Sequence, residues 1–277
     1  MSAISVKGVW KEYDDHVILE QIDLEIPTRS FVALVGPSGC GKTTFLKMLL
    51  SEENPTRGII AIDGVELARE PDADRGVVFQ RYSVFPHLTV LGNVLLSLEL
   101  AQSPFLGKLF GGRKRAAEEE ARAFLVSVGL GGAEGKYPSQ LSGGMQQRLA
   151  LAQALVAKPK VLLLDEPFGA LDPGIRADMH KLMRQLWHDR ALTVVMVTHD
   201  MSEAFTLATR VIAFERRRNE PSDAGRYGAS ISRDIDIWPP RLARSLAQTT
   251  PTSARRDDPD AISQDVRDDL ASQGTGA

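Results

Sequence analysis

Cysteine is nearly absent. Cys40 is the only one in 277 residues, so an internal disulfide is excluded and a reducing compartment fits. Long apolar runs are missing too. None approaches the ~20 residues that a bilayer-spanning helix needs, so any membrane role must come through a partner. The opening residues Met1–Ser5 lack the basic segment and apolar stretch of a secretory signal, and the expectation is a cytoplasmic chain. Neither sign of charge dominates: 33 basic residues stand against 36 acidic ones, a net charge of −3. That gives no global pull toward nucleic acid or anionic lipid, and nucleic acid is not an expected partner. What is present is an ordinary globular balance, 43% hydrophobic and 25% charged, which supports a sizeable core.

Against that plain background one segment stands out. Gly36-Pro37-Ser38-Gly39-Cys40-Gly41-Lys42-Thr43, followed by Thr44, fits the spacing G-x-x-x-x-G-K-[ST]. The glycines let consecutive backbone N–H groups turn inward on a phosphate chain at the N-terminus of the next helix. Lys42 reaches the β- and γ-phosphates and Thr43 offers a hydroxyl to Mg²⁺. Cys40 is small enough for the loop. The pattern occurs once, and the chain shows no internal repeat.

Two further segments carry chemistry. Val161–Leu164 is a buried strand ending in Asp165-Glu166. A carboxylate there sits at the C-terminal edge of a parallel sheet, where ligands bind. Asp165 suits Mg²⁺, and Glu166 suits a general base acting on water. Leu141-Ser142-Gly143-Gly144-Met145 precedes a helix. Ser142 can cap it, and Gly143 and Gly144 leave its first N–H groups bare, which makes a second anion site. One phosphate loop has no need of a second anion site within the same chain.

The surrounding pattern reads as an α/β fold. Strands are predicted at 4–10, 17–19 and 22–26, then Phe31–Val35 feeding the glycine loop, a helix from Thr43 to Leu50, and a strand at 59–62 closed by the hairpin signal Asp63-Gly64. Val77–Phe79 is another strand, ending at Gln80. About 88–158 reads as a helical subdomain inserted in the core, with a loop at 103–115 and an amphipathic helix at 116–128. Asp172-Pro173 opens a helix with an N-cap carboxylate and a first-turn proline. Strands follow at 192–197 and 211–214. The expected divisions are a domain over 1–215, an edge strand and extension over 216–244, and a tail over 245–277 too poor in large apolar residues to fold alone.

In this order the motifs resemble the ATP-binding subunit of an ABC transporter. The resemblance covers about residues 4–215. It implies a P-loop NTPase core with a mostly parallel sheet, an N-terminal antiparallel β subdomain and the helical insertion. It implies ATP and Mg²⁺, a dimer in which Ser142, Gly143 and Gly144 meet the ATP held by the other copy, permease subunits in the membrane, and a separate solute-binding protein. Tyr13 resembles the aromatic residue that stacks on adenine. Gln80 resembles the glutamine that touches Mg²⁺ or the attacking water. Asp172 lies in a segment like the one that communicates across the dimer, and His199 resembles the histidine at the γ-phosphate. Phe85–Val94 and Thr198–Ala204 look most like importers of the nitrate, sulfonate and taurine type, and Ile231–Arg241 is similar to a subgroup associated with urea-like nitrogen compounds. Met145 stands where that family usually has glutamine, and Ser51 where it usually has glycine. The alternatives are a soluble ABC ATPase of the cofactor-assembly type, without a membrane partner, and a nucleotide-binding regulator that does not hydrolyse. The repair and translation types are disfavoured, since the chain has no long coiled-coil insertion and no second phosphate loop.

Overall fold

The computed structural model describes residues 2–14, 16–68, 70, 74–80, 84–103, 107–216 and 226–237. The expected tail at 245–277, the turn at 217–223 and the Trp238–Arg241 end of the urea-like segment lie outside them.

Ten strands form one sheet in the order β5-β4-β1-β2-β10-β9-β3-β8-β7-β6. The parallel part is β3 (Phe31–Val35), β8 (Thr193–Val197), β7 (Val161–Asp165) and β6 (Arg75–Val78), with β9 (Arg210–Arg216) parallel to β3 on the other side. β3 and β8 are buried at every residue, which is why they read as unbroken apolar runs. Alternation then divides the core. Phe31, Ala33 and Val35 of β3 face one apolar layer, whereas Val32 and Leu34 face another built on Phe45, Leu46 and Leu49 of helix α1 (Lys42–Leu49).

The first layer also takes in helices α2 (Val90–Gln102), α3 (Gly111–Ser127), α4 (Gly143–Val156), α5 (Pro173–Arg190) and α6 (Met201–Leu207). Helix α3 starts five residues before the predicted 116. The segment read as loop contains Arg113, Lys114 and Arg115, good helix formers, and two of its three glycines, Gly111 and Gly112, fall at the helix start, where their cost is low. Leu109, buried at 5% exposure, anchors the approach.

The antiparallel part differs from expectation in two ways. Residues 16–27 form one strand, β2 (His16–Pro27), paired along β1 (Ser2–Tyr13), rather than two. The break read at Glu20-Gln21 is an irregularity: Gln21 takes φ 48° and the strand runs on. The strand expected at an edge, β10 (Ala229–Asp236), is interior. It runs antiparallel to β9 and meets β2 through a single pair, Ala229–Leu19. It joins the parallel core to the antiparallel β subdomain, a pairing 210 positions apart in the chain that no local pattern reveals. The Asp63-Gly64 hairpin forms as read, with φ 50° and 81° joining β4 (Arg57–Ile62) to β5 (Val65–Glu66).

Candidate functional site

The glycine loop leaves β3 and enters α1. Gly36 adopts φ 144°, and a side chain there would come within 2.2 Å of the Phe214 carbonyl oxygen. Gly41, the residue before α1, adopts φ 91°, and a Cβ would press on Leu19 of β2. Only glycine satisfies both positions. Lys42 folds back over the loop, donating to the carbonyls of Gly36 at 2.7 Å and Pro37 at 2.8 Å, with its ammonium 3.6 Å from the Cys40 sulfur. Lys42 and Cys40 are buried, while Pro37, Ser38, Gly39 and Thr43 are exposed. A cavity of about 320 Å³ opens above the loop, lined by Ser38, Gly39, Gly41, Lys42, Thr43 and Thr44, with Glu166 and Ile18. Ile18 was missed by the sequence reading. It lies in the short apolar run Val17–Leu19 of β2 like any other strand residue, and only the sheet brings it beside Gly41.

Two sets of side chains flank the cavity. The Thr43 hydroxyl lies 3.4 Å from the Asp165 carboxylate. Burial, and Glu166 beside it, hold the Asp165 carboxyl above its usual range, while the Thr43 hydroxyl and Lys42 pull it the other way. The second set is a chain. The Gln80 amide donates to one Glu166 oxygen at 3.2 Å, and His199 Nδ1 lies 3.1 Å from the other. The Glu166 backbone has φ 45°, unusual for a residue with a side chain, and its N–H is fixed on the Val197 carbonyl at 2.9 Å. β7 and β8 thus hold the base candidate in place from the backbone. Hydroxyl, carboxylate and amide oxygens from Thr43, Asp165 and Gln80 make a hard-oxygen donor set that suits Mg²⁺, which keeps few protein ligands and leaves room for phosphate and water.

Tyr13 stands at the end of β1, 42% exposed. Its hydroxyl donates to Glu53, and Lys11 lies 4.7 Å from the ring centre. Desolvation and the Glu53 carboxylate push the Tyr13 hydroxyl up to about 12, and a hydrogen bond involving Thr44 opposes them.

Ser142, Gly143 and Gly144 do not line the cavity. Ser142 is the N-cap of α4, accepting from the Met145 N–H at 3.4 Å. Gly144 is there for packing, since a Cβ would come within 2.5 Å of Ile175 of α5. Asp172 occupies the N-cap position of α5, but its carboxylate makes no capping hydrogen bond. The sequence expectation of a capping carboxylate is corrected: Asp172 is exposed, and its side chain does not turn back to the N–H groups of the first turn. Another residue without an assigned role proves central. Asn93, fully buried, accepts from the Phe85 N–H at 2.7 Å and places its amide nitrogen within 3.1 Å of the carbonyls of Phe85, Leu88 and Thr89. It fixes Phe85–Thr89 ahead of α2. Ser51, where a glycine was expected, keeps the left-handed backbone at φ 59° and turns its hydroxyl to Arg75 at 2.8 Å.

A phosphate loop at the C-terminal edge of a parallel sheet, with a carboxylate pair at the end of the next strand but one, defines a P-loop nucleotide-binding protein. The family model described as ABC transporter matches residues 19–169. The chain belongs to the ABC transporter family. It is 42% identical over 220 residues to the sulfate/thiosulfate import ATP-binding protein CysA of Mycolicibacterium paratuberculosis, covering 79% of this chain and 58% of that one. It is 36% identical to the Fe(3+) ions import ATP-binding protein FbpC of Photorhabdus laumondii, covering 88% and 70%. Among solved structures it resembles the ATP-binding cassette MJ0796 in a dimeric post-hydrolysis state bound to ADP and Pi, with a TM-score of 0.67, 29% identity, and coverage of 84% of this chain and 98% of that one. The chain spans under two thirds of the length of the CysA relative it matches. Among the described residues no helix is long and apolar enough to cross a membrane.

Proposed function

We propose that this chain is the ATP-hydrolysing subunit of an ABC importer. The observation that carries the reading is that Lys42, Thr43 and Glu166 line one cavity, with Asp165 joined to Thr43 and with Gln80 and His199 joined to Glu166, while the Ser142-capped helix stands apart with its first N–H groups outside that cavity. An anion site unused within its own chain is what a second copy would complete. Two copies then hold two ATP molecules, each between Lys42 of one protomer and Ser142, Gly143 and Gly144 of the other.

Each group has a task. Loop N–H groups and Lys42 carry the phosphate charge. Thr43, Asp165 and Gln80 would hold Mg²⁺, which would supply charge neutralisation on the phosphate oxygens. Glu166 accepts a proton from the attacking water, and His199 steadies Glu166 and meets the γ-phosphate. Tyr13 stacks on adenine. Asp172, with a carboxylate unclaimed by its own helix, reaches across the dimer. ATP favours the closed pair only through its higher affinity for that state.

The permease subunits dock beside Phe85 and Leu88, on the segment that Asn93 fixes, and the ATPase sits peripherally on the cytoplasmic face. A separate binding protein delivers the solute. The nitrate, sulfonate and taurine reading rests on Phe85–Val94 and Thr198–Ala204. Relatives named for import of sulfate or ferric ions belong to the same family, so the solute is chosen by the other subunits. The decisive experiment is Glu166→Gln. It keeps ATP binding, loses turnover by about 100-fold or more, and accumulates an ATP-dependent dimer. A variant that hydrolyses at the normal rate as a monomer overturns the proposal.

A further inference from the structure

A cluster of charge lies buried behind His199, outside the machinery described above. Glu203 of α6 is 2% exposed. One of its oxygens accepts from the Thr198 hydroxyl at 2.9 Å, and the same hydroxyl accepts from the Asp200 N–H at 3.0 Å. Thr198 and Asp200 bracket His199, so this one hydroxyl ties both flanks of the histidine to Glu203. The Asp200 carboxylate turns back to the N–H groups of Ser202 and Glu203 at the start of α6.

The other Glu203 oxygen faces α5. Arg176 Nε is 3.8 Å away and His180 Nε2 is 3.7 Å away. All three atoms are shielded from solvent and make no hydrogen bond among the described residues. Arg176 is itself fixed, donating to the Leu171 carbonyl at 3.1 Å and to Asp200 at 3.3 Å. An ionised carboxylate buried this far is costly unless paired, and the cation that faces it comes from the first turns of the helix that Asp172 opens.

We propose that Glu203, held by Arg176 and His180, is a positioning residue for His199. It touches neither nucleotide nor water. It fixes the backbone on both sides of the histidine and anchors that backbone to α5, so the imidazole presents Nδ1 to Glu166. The three unpaired atoms lie just beyond hydrogen-bond distance, so a small approach of α5 to α6 tightens the hold. This rests on the reading of His199 as a hydrolytic group.

The test uses the full-length chain and steady-state ATP hydrolysis. Glu203→Gln removes the charge, Thr198→Val removes the hydroxyl at equal volume, and Thr198→Ser restores it. The expected result is a loss in kcat of about tenfold in the Gln and Val variants with KM for ATP held within about twofold, because the Lys42 loop is untouched. Thr198→Ser is expected to hydrolyse like wild type, and adding Glu203→Gln to His199→Ala to lower kcat no further. Unchanged kcat in folded Glu203→Gln overturns the inference. If that variant does not fold, the Thr198 pair decides, and equal activity of the Val and Ser variants overturns it. His199→Ala with full activity refutes instead the underlying reading of the site.

Discussion

Replacing Ser142 by aspartate separates the folding role of this residue from its proposed role across the dimer. Ser142 caps α4 by accepting one N–H, that of Met145. Aspartate caps about as well as serine, and its charge at a helix N-terminus adds roughly 0.3–1 kcal/mol of stability. The monomer is therefore expected to melt at the same temperature or about 1–4 °C higher, at roughly 2–4 °C per kcal/mol for a chain of this size. The dimer responds in the opposite direction. If Ser142 faces the partner's γ-phosphate, a carboxylate there sets one negative charge ~4 Å from another, about 4 kcal/mol at an effective dielectric constant of 20. That corresponds to roughly three decades in the association constant for each site. The assay is sedimentation of Ser142→Asp in the Glu166→Gln background with saturating Mg-ATP, beside Ser142→Ala. The alanine variant loses about 1 kcal/mol of cap and introduces no repulsion. An aspartate variant that pairs as tightly as its parent refutes the argument that α4 of one copy completes the site of the other.

Two further outcomes follow from the structure. Asp165→Asn is expected to abolish hydrolysis yet raise the melting temperature of the nucleotide-free protein. Burial and Glu166 hold the Asp165 carboxyl above its usual range, so its ionisation costs folding energy at neutral pH. That cost is absent below its unfolded value and complete above its folded one. The stabilisation by asparagine must therefore shrink as pH falls through the acidic range, and thermal melts at several pH values check this; stabilisation that grows on acidification refutes it. Asn93→Ala takes the side-chain partner from the Phe85 N–H and the Leu88 carbonyl, at about 1–3 kcal/mol each when no water replaces it, while the Phe85 and Thr89 carbonyls keep the backbone N–H groups of Leu88 and Asn93. Denaturant unfolding should show a loss of about 3 kcal/mol, and a loss under about 0.5 kcal/mol would show that the clamp is not needed.

Much of the site was legible because its chemistry is local. Gly36–Thr43, Asp165-Glu166 and Ser142–Gly144 are runs in which geometry and function depend on neighbours in sequence: a helix N-terminus, a strand end, a cap. Buried strands such as β3 and β8 announce themselves because both faces are covered. The start of α3 was misread because its basic residues suit helix and loop alike, and the capping role of Asp172 because proline and aspartate make a strong pattern whether or not the carboxylate turns inward.

The sequence by itself determined a glycine loop between β3 and α1, a carboxylate pair at the end of β7, and a Ser142-capped α4 with glycines in its first turn. The tertiary structure alone decided that Gln80, Glu166 and His199 form one chain, that Ile18 walls the cavity, that β10 joins the two halves of the sheet, and that Arg176, His180 and Glu203 meet behind His199. The reason is physical. A turn or a cap is set by the dihedral angles of a few adjacent residues, whereas a contact between residues far apart in the chain depends on where the packed sheet and helices carry them, and hydrophobic patterning is silent about which distant polar groups will meet.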